Sequence, residues 1–182
     1  MREALEVRLP LPVGAGVPAV RAAGYRPELA RSLGELHAAA VQPGALDPQT
    51  SELVRLRCAI WHQCRVCKSL RWVADGERVL DESDAEKVAD YERSDLGDRQ
   101  KIALRLTDAF MTVPGDISAE LRHQVRQYFS DGEVVAMLLN IIAWTQQKLL
   151  VSFALDIPPD ASALTGLVFD ETGHYSFGEA LG

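Results

Sequence analysis

Residues 130–154 constrain the fold more strongly than any other part of the sequence. Ser130 and Glu133 have the spacing of a capping box, in which both side chains accept hydrogen bonds from the backbone at a helix start. From Val134 to Trp144 the residues are apolar except for Asn140, so a helix here is apolar on nearly every face. Such a helix must be covered on all sides, and we expect it at the centre of a helical bundle or between subunits.

Most of the remaining sequence also favours helices. Leu29, Leu33 and Leu36 recur at three- and four-residue steps, which is the period of an α-helix with one buried face. Asp47 followed by Pro48 is typical of a helix start. The predicted helices cover about residues 27–40, 48–62, 64–75, 84–92, 98–113, 121–129 and 131–154. We therefore predict an all-α bundle of six or seven helices.

The two ends of the chain have a different composition. Residues 1–24 contain three prolines and three glycines, which resist helix formation and predict an extended N-terminal arm lying over the body or a neighbour. Residues 167–177 have the pattern of a strand, a turn at Gly173 and a second strand. We therefore divide the chain into an arm at 1–24, a helical domain at 25–158 and a tail with a C-terminal β-hairpin at 159–182.

Composition and charge limit the environment and the partners. The 182 residues suit one domain, and 47% of them are apolar. A net charge of −7 argues against a nucleic acid partner or an anionic membrane surface. No secretory signal pattern opens the sequence, and the apolar run at 134–144 is too short to cross a bilayer. We expect a soluble cytoplasmic protein with no membrane partner.

Cys64 and Cys67 form a Cys-x-x-Cys pair before a predicted helix, and this pair is the main indication of function. Two cysteines at this spacing can form a disulfide, and a helix start with a cation nearby favours the thiolate. Arg71 follows Cys67 by four residues, which would place it on the same helical face. Our hypothesis is that Cys67 attacks a peroxide or disulfide and that Cys64 resolves the product.

Two further residues near the pair have alternative interpretations. Glu52 lies on the preceding helix and could act at the sulfurs, pair with Arg55 or face solvent. His62 could relay a proton, because imidazole titrates near neutral pH, or it could bind the last carbonyls of its helix.

The cysteines could also have roles other than redox chemistry. Cys58, His62 and the Cys-x-x-Cys pair are ligand types suitable for zinc, although the chain would have to fold back tightly to enclose a metal. Cys58 fits better as a small buried apolar residue. The pair itself could be two buried thiols without function. A thioredoxin-type site is a poor match, because no strand is predicted before Cys64.

Several segments together resemble the carboxymuconolactone decarboxylase and alkyl hydroperoxidase D superfamily. The resemblance covers about residues 25–158 and includes a glutamate twelve residues before the first cysteine. The matching segments are Glu52-Leu-Val-Arg-Leu-Arg, Cys64-x-x-Cys67, Asp98-Arg-Gln-Lys-Ile-Ala-Leu-Arg-Leu-Thr-Asp-Ala and Phe129-Ser-Asp-Gly-Glu-Val-Val.

The resemblance implies a helical subunit that forms trimers or hexamers and reduces a peroxide or exchanges disulfides without a cofactor or metal, using a dithiol electron donor. It assigns the attack to Cys67, the resolution to Cys64 and a proton relay to Glu52. Arg71 stands where the redox branch commonly has histidine, and arginine cannot relay a proton near neutral pH. Arg71 could instead stabilise a thiolate or pair with Glu52, and His62 could take over the relay.

Two alternatives to this function are weaker. The decarboxylase branch works without the cysteine pair, so its lactone chemistry matches the sequence less well. A non-catalytic oligomeric scaffold could use a pocket beside Trp61 and Trp72 to bind a small ligand or a partner.

Overall fold

A computed structural model describes residues 7–41, 46–171 and 174–181. The α-helices are α1 (Pro18–Ala23), α2 (Pro27–Val41), α3 (Pro48–Trp61), α4 (Arg65–Ser69), α5 (Glu82–Lys87), α6 (Asp98–Thr112), α7 (Ala119–Tyr128), α8 (Asp131–Trp144) and α9 (Gln147–Ser152). The strands are β1 (Leu70–Ala74), β2 (Glu77–Arg78), β3 (Leu164–Phe169) and β4 (Tyr175–Leu181). Short 3₁₀ helices lie at Val88–Arg93 and Pro114–Asp116.

The longer helices begin where the sequence predicted. Asp47 accepts a hydrogen bond from the Thr50 N–H at 2.8 Å and caps α3. Ser130 and Glu133 form the expected capping box at α8, where the Ser130 N–H donates to the Glu133 carboxylate at 2.7 Å. Helices α2, α3, α6 and α8 pack against one another and form the helical body.

The prediction of an all-α fold is wrong, because the protein is mostly helical with a four-stranded mixed sheet. The strand order is β2-β1-β3-β4, and β1 pairs with β3 in parallel. The expected C-terminal hairpin is present as β3 and β4, but it extends a sheet that begins directly after the cysteine helix. Gly173, the predicted turn residue, lies outside the described residues.

The segment after the cysteines was predicted as a longer helix, and this is also wrong. Helix α4 ends at Ser69, and Leu70 has extended backbone angles. Leu70 pairs with Thr165 and Trp72 with Leu167, so β1 is held by a strand more than ninety residues away in the chain. Leu70, Trp72 and Leu167 are buried in the core that also contains Cys64 and Cys67.

The N-terminal arm differs from the extended segment expected for residues 1–24. Residues 18–23 form α1, because Pro18 occupies a first-turn position and alanines follow it. The preceding residues lie along the body, since the Arg8 N–H donates to the Phe153 carbonyl at 2.9 Å and Tyr25 donates to the Pro10 carbonyl at 2.7 Å. Residues 1–6 lie outside the described part of the chain.

Helices α8 and α9 form a helical stretch from Asp131 to Ser152. Within the described residues this is the one stretch long and apolar enough to cross a membrane by length and composition. Met137 and Ile141 are fully buried in the core, and Gln147 is buried as well, so one side of the stretch packs within the protein. The opposite side exposes large apolar side chains at Val135, Leu139, Ile142, Leu149 and Phe153.

Candidate functional site

The cysteine pair lies at a sharp turn between α3 and α4. Gln63 has a φ of 56°, a left-handed conformation that redirects the chain after the last turn of α3. Cys64 then serves as the N-cap of α4, and Cys67 lies inside this short helix. The two Sγ atoms are 2.7 Å apart, about 0.7 Å longer than a covalent disulfide. Both cysteines are buried, but Cys67 keeps 8% of its surface exposed whereas Cys64 keeps none.

Asp156 fixes the beginning of α4 from a distant part of the chain. Its carboxylate accepts hydrogen bonds from the Arg65 N–H at 2.9 Å and from the Arg65 guanidinium at 3.1 and 3.2 Å. Its carbonyl also accepts from the Val66 N–H at 3.2 Å. Asp156 is fully buried, so these bonds hold the cysteine helix against the segment that follows α9.

A buried ion pair between Glu52 and Arg55 lies behind the other end of α4. Arg55 donates to both carboxylate oxygens of Glu52 at 2.5 and 2.6 Å, and both side chains are 1% exposed. The same guanidinium donates to the carbonyls of Cys67 and Leu70, each at 2.7 Å. The Trp72 N–H donates to Glu52 at 3.2 Å. The pair therefore joins α3 to the junction of α4 and β1.

The structure shows the surroundings of Glu52. The carboxylate pairs with Arg55, as one of the interpretations proposed, and it is buried instead of facing solvent. Two guanidinium hydrogen bonds and a backbone N–H satisfy its oxygens. Glu52 therefore holds Arg55 in place, and Arg55 brings a positive charge to the sulfurs.

Arg71 does not share a helical face with Cys67, because α4 ends before it. Its guanidinium donates to both oxygens of Glu82, at 2.8 and 2.6 Å, so its partner is Glu82 and not Glu52. It also donates to the carbonyls of Lys68 and Leu70 at 2.8 and 2.9 Å. Arg71 thus satisfies carbonyls at the end of the cysteine helix, which otherwise lack intrahelical partners.

The surroundings give the two thiols opposite tendencies to ionise. The hydrogen bond with the Cys67 side chain, assisted by the Cys67 backbone N–H, lowers the pKa of Cys64. The hydrogen bond with Cys64 and burial raise the pKa of Cys67. The charge of Arg55 favours the thiolate at both positions. The thiolate is therefore favoured at Cys64 over Cys67.

Arg55 remains a cation in this environment. Burial acts to lower the pKa of Arg55, but the charge and hydrogen bonds of Glu52, together with the charges of the two cysteines, raise it. Helix α4 has five residues, so its dipole is small, and Arg55 provides the cationic surroundings that the sequence suggested for Arg71.

His62 and Cys58 lie beside the site. His62 Nδ1 lies 3.3 Å from the Gln147 amide oxygen, its Nε2 has no partner within the described residues, and burial lowers its pKa. Cys58 is fully buried and burial raises its pKa to about 12, so its thiol stays protonated. The described residues contain no group of three or more histidines, cysteines or carboxylates placed to hold a metal ion.

The two tryptophans of the scaffold hypothesis differ in their surroundings. Trp61 is 42% exposed at the end of α3, whereas Trp72 is buried on β1. The Trp72 ring packs against Phe169 of β3 with centroids 4.9 Å apart. Trp72 is therefore a core residue that supports the sheet.

Sequence reasoning missed several residues of the site, including Asp156, His37, Gln146 and Tyr175. Burial and the charge of a Cys67 thiolate raise the pKa of Tyr175. No local signal marks these residues, because they come from α2, the α8–α9 junction, β4 and the segment after α9. Only the tertiary fold assembles them.

Sequence similarity to known proteins covers part of the chain. No family model matches it. Two uncharacterized proteins of Mycobacterium tuberculosis, MT2376 and Rv2313c, are each 43% identical to it over 119 residues, which is 63% of this chain. The match covers 40% of each relative, so the chain spans about two fifths of their length.

Solved structures give a more extensive match. An uncharacterized peroxidase-related protein from Ralstonia eutropha, described as an alkylhydroperoxidase AhpD core, superposes with a TM-score of 0.68 at 16% identity, over 86% of this chain and 95% of that protein. A peroxidase-related protein from a Silicibacter species gives 0.65 at 14% identity, over 88% and 96%. The chain has the AhpD-like fold. The fold expected from the cysteine motif and its flanking segments is therefore confirmed.

The AhpD-like fold is not restricted to one chemistry. The debrominase Bmp8, in complex with 2,3,4-tribromopyrrole, superposes with a TM-score of 0.62 at 15% identity, over 78% of this chain and 76% of Bmp8. At these identities the likeness concerns the fold alone. The chemistry of this chain has to be argued from its own site.

Proposed function

We propose that this protein is a thiol-dependent oxidoreductase of the alkyl hydroperoxidase D type, which acts in the cytoplasm without a cofactor. It would reduce a peroxide, or exchange a disulfide, through a Cys64–Cys67 dithiol–disulfide couple. The observation that carries the proposal is the direct contact of two sulfurs, 2.7 Å apart, beside the buried cation Arg55. A thiolate that is stabilised by hydrogen bonds and a cation is the reactive form of cysteine.

Access and protonation assign different tasks to the two cysteines. Cys67 keeps more of its surface exposed than Cys64, whereas the hydrogen bond with Cys67 lowers the pKa of Cys64. Transfer of the Cys67 proton to Cys64 across the short contact gives a Cys67 thiolate and a Cys64 thiol. The Cys67 sulfur then attacks a peroxide oxygen, the O–O bond breaks, and Cys67 becomes a sulfenic acid. The other peroxide oxygen leaves with the electron pair of the broken bond, takes up a proton from solvent and departs as an alcohol or as water.

Cys64 completes the cycle without large movement. Its sulfur attacks the sulfenic sulfur of Cys67, an S–S bond forms, and the hydroxyl group leaves as water with the Cys64 proton. A dithiol donor then reduces the disulfide and restores both cysteines. Glu52 and Arg71 would act as positioning residues, the first through Arg55 and the second through the carbonyls of α4.

Cysteine variants test this assignment directly. Reduced protein is mixed with tert-butyl hydroperoxide and dithiothreitol, and peroxide consumption is measured for Cys67→Ser, Cys64→Ser and Cys58→Ala. We expect Cys67→Ser to abolish turnover and Cys64→Ser to accumulate the Cys67 sulfenic acid, which dithiothreitol alone then reduces, so that turnover is slower than in the wild type. Cys58→Ala is the control, because its thiol is buried and protonated, and it should retain turnover. Equal loss in all three variants would contradict the assignment.

The exposed apolar side of α8 and α9 supports assembly into a homo-oligomer. Val135, Leu139, Ile142 and Leu149 are between 45% and 56% exposed and recur at helical spacing on one side of the stretch. A second copy of the chain would cover this surface, in a trimer or hexamer as the resemblance implies. Light scattering should show an oligomer that Leu139→Glu dissociates, and a monomeric wild-type protein would refute this assembly.

A further inference from the structure

Asp156 caps the helix that carries the cysteine pair, although it lies 91 residues after Arg65 in the sequence. The first N–H groups of an α-helix have no partners within the helix, and an oxygen of the N-cap side chain commonly accepts a hydrogen bond from one of them. Cys64 occupies the N-cap position of α4, and its side chain has no oxygen. Asp156 instead accepts from the Arg65 N–H through its carboxylate at 2.9 Å and from the Val66 N–H through its carbonyl at 3.2 Å. The start of α4 is therefore held by a distant part of the chain.

The backbone on both sides of this contact has an uncommon conformation. Ala154 and Gln63 each have a φ of 56°, in the left-handed region that residues with a side chain rarely adopt. Ala154 ends α9 with a pair of hydrogen bonds in which glycine is the usual residue, from its own N–H to the Val151 carbonyl at 3.3 Å and from the Leu155 N–H to the Leu150 carbonyl at 2.8 Å. Strained backbone of this kind persists where the surrounding structure enforces it, and it occurs most often at functional sites.

Capping alone does not require the negative charge of Asp156. Asparagine and serine cap helices about as well as aspartate does, and a buried carboxylate loses its hydration. Asp156 is fully buried and pairs with Arg65, whose side chain is 33% exposed and donates at 3.1 and 3.2 Å. These bonds are longer than the bonds of 2.5 and 2.6 Å from Arg55 to Glu52. Arg65 therefore compensates the charge of Asp156 less completely than Arg55 compensates the charge of Glu52.

The charge of Asp156 opposes a thiolate at Cys64. The carboxylate binds the peptide N–H that directly follows Cys64, and like charges repel more strongly in a protein interior than in water. The hydrogen bond with Cys67 lowers the pKa of Cys64, whereas the charge of Asp156 acts to raise it and the charge of Arg55 to lower it. Reduction of a Cys64–Cys67 disulfide produces the thiolate. A charge that disfavours the thiolate therefore favours the disulfide and lowers the reduction potential of the pair.

We propose that Asp156 is a positioning residue with two separable roles: its oxygens fix the cysteine helix, and its charge offsets Arg55 and keeps the Cys64–Cys67 couple reducing. When dithiothreitol reduces the pair, the S–S bond breaks and takes up two electrons. Cys64 is left as the thiolate, Cys67 takes one proton of the dithiol, and the second proton passes to solvent. A low potential favours the opposite direction, in which the two thiols give their electrons to the oxidised substrate. This inference rests on the proposed dithiol–disulfide couple.

Asp156→Asn separates the two roles, because the amide oxygen can still accept from the Arg65 N–H while the charge is lost. The reduction potential is measured in graded dithiothreitol and glutathione buffers, and thiol ionisation by the pH dependence of iodoacetamide alkylation. We expect the equilibrium constant for reduction to increase about tenfold, which raises the potential by about 30 mV. The increase should grow with pH across the range in which Cys64 ionises, because the charge acts on the thiolate and not on the neutral thiol. Arg65→Gln removes the cation that compensates Asp156, so it should lower the potential.

The matched control is Asp47→Asn, which makes the same change at the N-cap of α3, where Asp47 accepts from the Thr50 N–H at 2.8 Å. Asp47 lies at the opposite end of α3 from the cysteines, so this variant should change neither the potential nor the alkylation profile. The other charged or titratable side chains around α4 are the same in all of these variants: Glu52, Arg55, His62, Arg71 and Tyr175.

A change in potential of Asp156→Asn that is the same at every pH would overturn the inference, because Asp156 would then act through structure alone. An Arg65→Gln potential that is unchanged or higher would also overturn it, and this variant decides the question if Asp156→Asn does not fold. An unchanged alkylation profile of Asp156→Asn would overturn the inference and leave the redox couple intact. A wild-type pair that never bridges would instead overturn the couple on which the inference rests.

Discussion

The ion pair of Glu52 and Arg55 should control both the stability of the fold and the ionisation of the thiols. Glu52→Gln preserves the shape of the side chain but removes its charge, so Arg55 remains buried without its counterion. Removing one partner of a buried ion pair costs about 3–5 kcal/mol. In a chain of this length each kcal/mol lowers the melting temperature by about 2–4 °C, so we expect a decrease of about 10 °C.

Arg55→Met should destabilise the protein more than Glu52→Gln. It leaves the Glu52 carboxylate without its cation and removes the Arg55 donor to the Cys67 carbonyl, whereas the Leu70 carbonyl keeps its hydrogen bond from Arg71. The buried Cys67 carbonyl that loses this donor adds about 1–3 kcal/mol to the loss.

The same two variants should shift thiol reactivity in opposite directions. Glu52→Gln removes a negative charge behind the sulfurs and leaves Arg55 positive, so the thiolate is favoured and the pKa of Cys64 falls. Arg55→Met removes the cation that favours the thiolate, so the pKa of Cys64 rises. If the ion pair had a purely structural role, both variants would lose stability, but the pKa of Cys64 would not shift in opposite directions.

Urea unfolding and the pH dependence of iodoacetamide alkylation measure the two effects. Glu92→Gln is a matched control, because the side chain of Glu92 is 49% exposed in its pair with Arg105 and should contribute no more than about 1 kcal/mol. If Glu52→Gln lost as little free energy of unfolding as this control, a desolvated ion pair would be refuted. Thiol pKa values that do not move in opposite directions would refute electrostatic control by Arg55.

Arg71→His should lower the melting temperature by a few degrees without increasing peroxide turnover, because Arg71 holds the carbonyls of Lys68 and Leu70 and pairs with Glu82. Higher turnover in this variant would show that arginine at this position had reduced activity. Glu133 should contribute to acid stability, since its hydrogen bond from the Ser130 N–H lowers its pKa to about 2. Its contribution is present above its ordinary pKa of 4.5 and lost as the pH falls towards about 2, so Glu133→Gln should flatten the pH dependence of unfolding in this range. An unchanged acid-unfolding profile of this variant would contradict the assignment.

Local signals in the sequence were sufficient to predict where the longer helices begin. Asp47 and Ser130 cap helices through bonds to residues three positions later, and such short-range contacts can be predicted from spacing. Residues 70–74 could not be assigned in this way, because a short apolar run suits a helix or a strand equally. Pairing of β1 with β3 makes this segment a strand, and its partner lies in the tail.

Residues of the candidate site could likewise be predicted from the sequence only where they lie close together in it. Cys64 and Cys67, as well as Glu52 and Arg55, are three residues apart in the sequence, and spacing was enough to suggest each pair. Asp156 lies 91 residues after Arg65, and only the packing of the segment after α9 against α4 brings it to the cysteine helix. Residues at such sequence separation meet through tertiary packing, which one sequence without homologues does not reveal.

The reduction potential of the Cys64–Cys67 pair tests the central proposal most directly. Protein equilibrated across graded dithiothreitol and glutathione redox buffers is alkylated, and mass spectrometry of the peptide containing both cysteines measures the bridged fraction. The proposal predicts a reversible two-electron transition between about −320 and −180 mV, within reach of cellular thiol pools, with Cys58 reduced throughout. A pair that stays reduced in every buffer would contradict the proposed redox function.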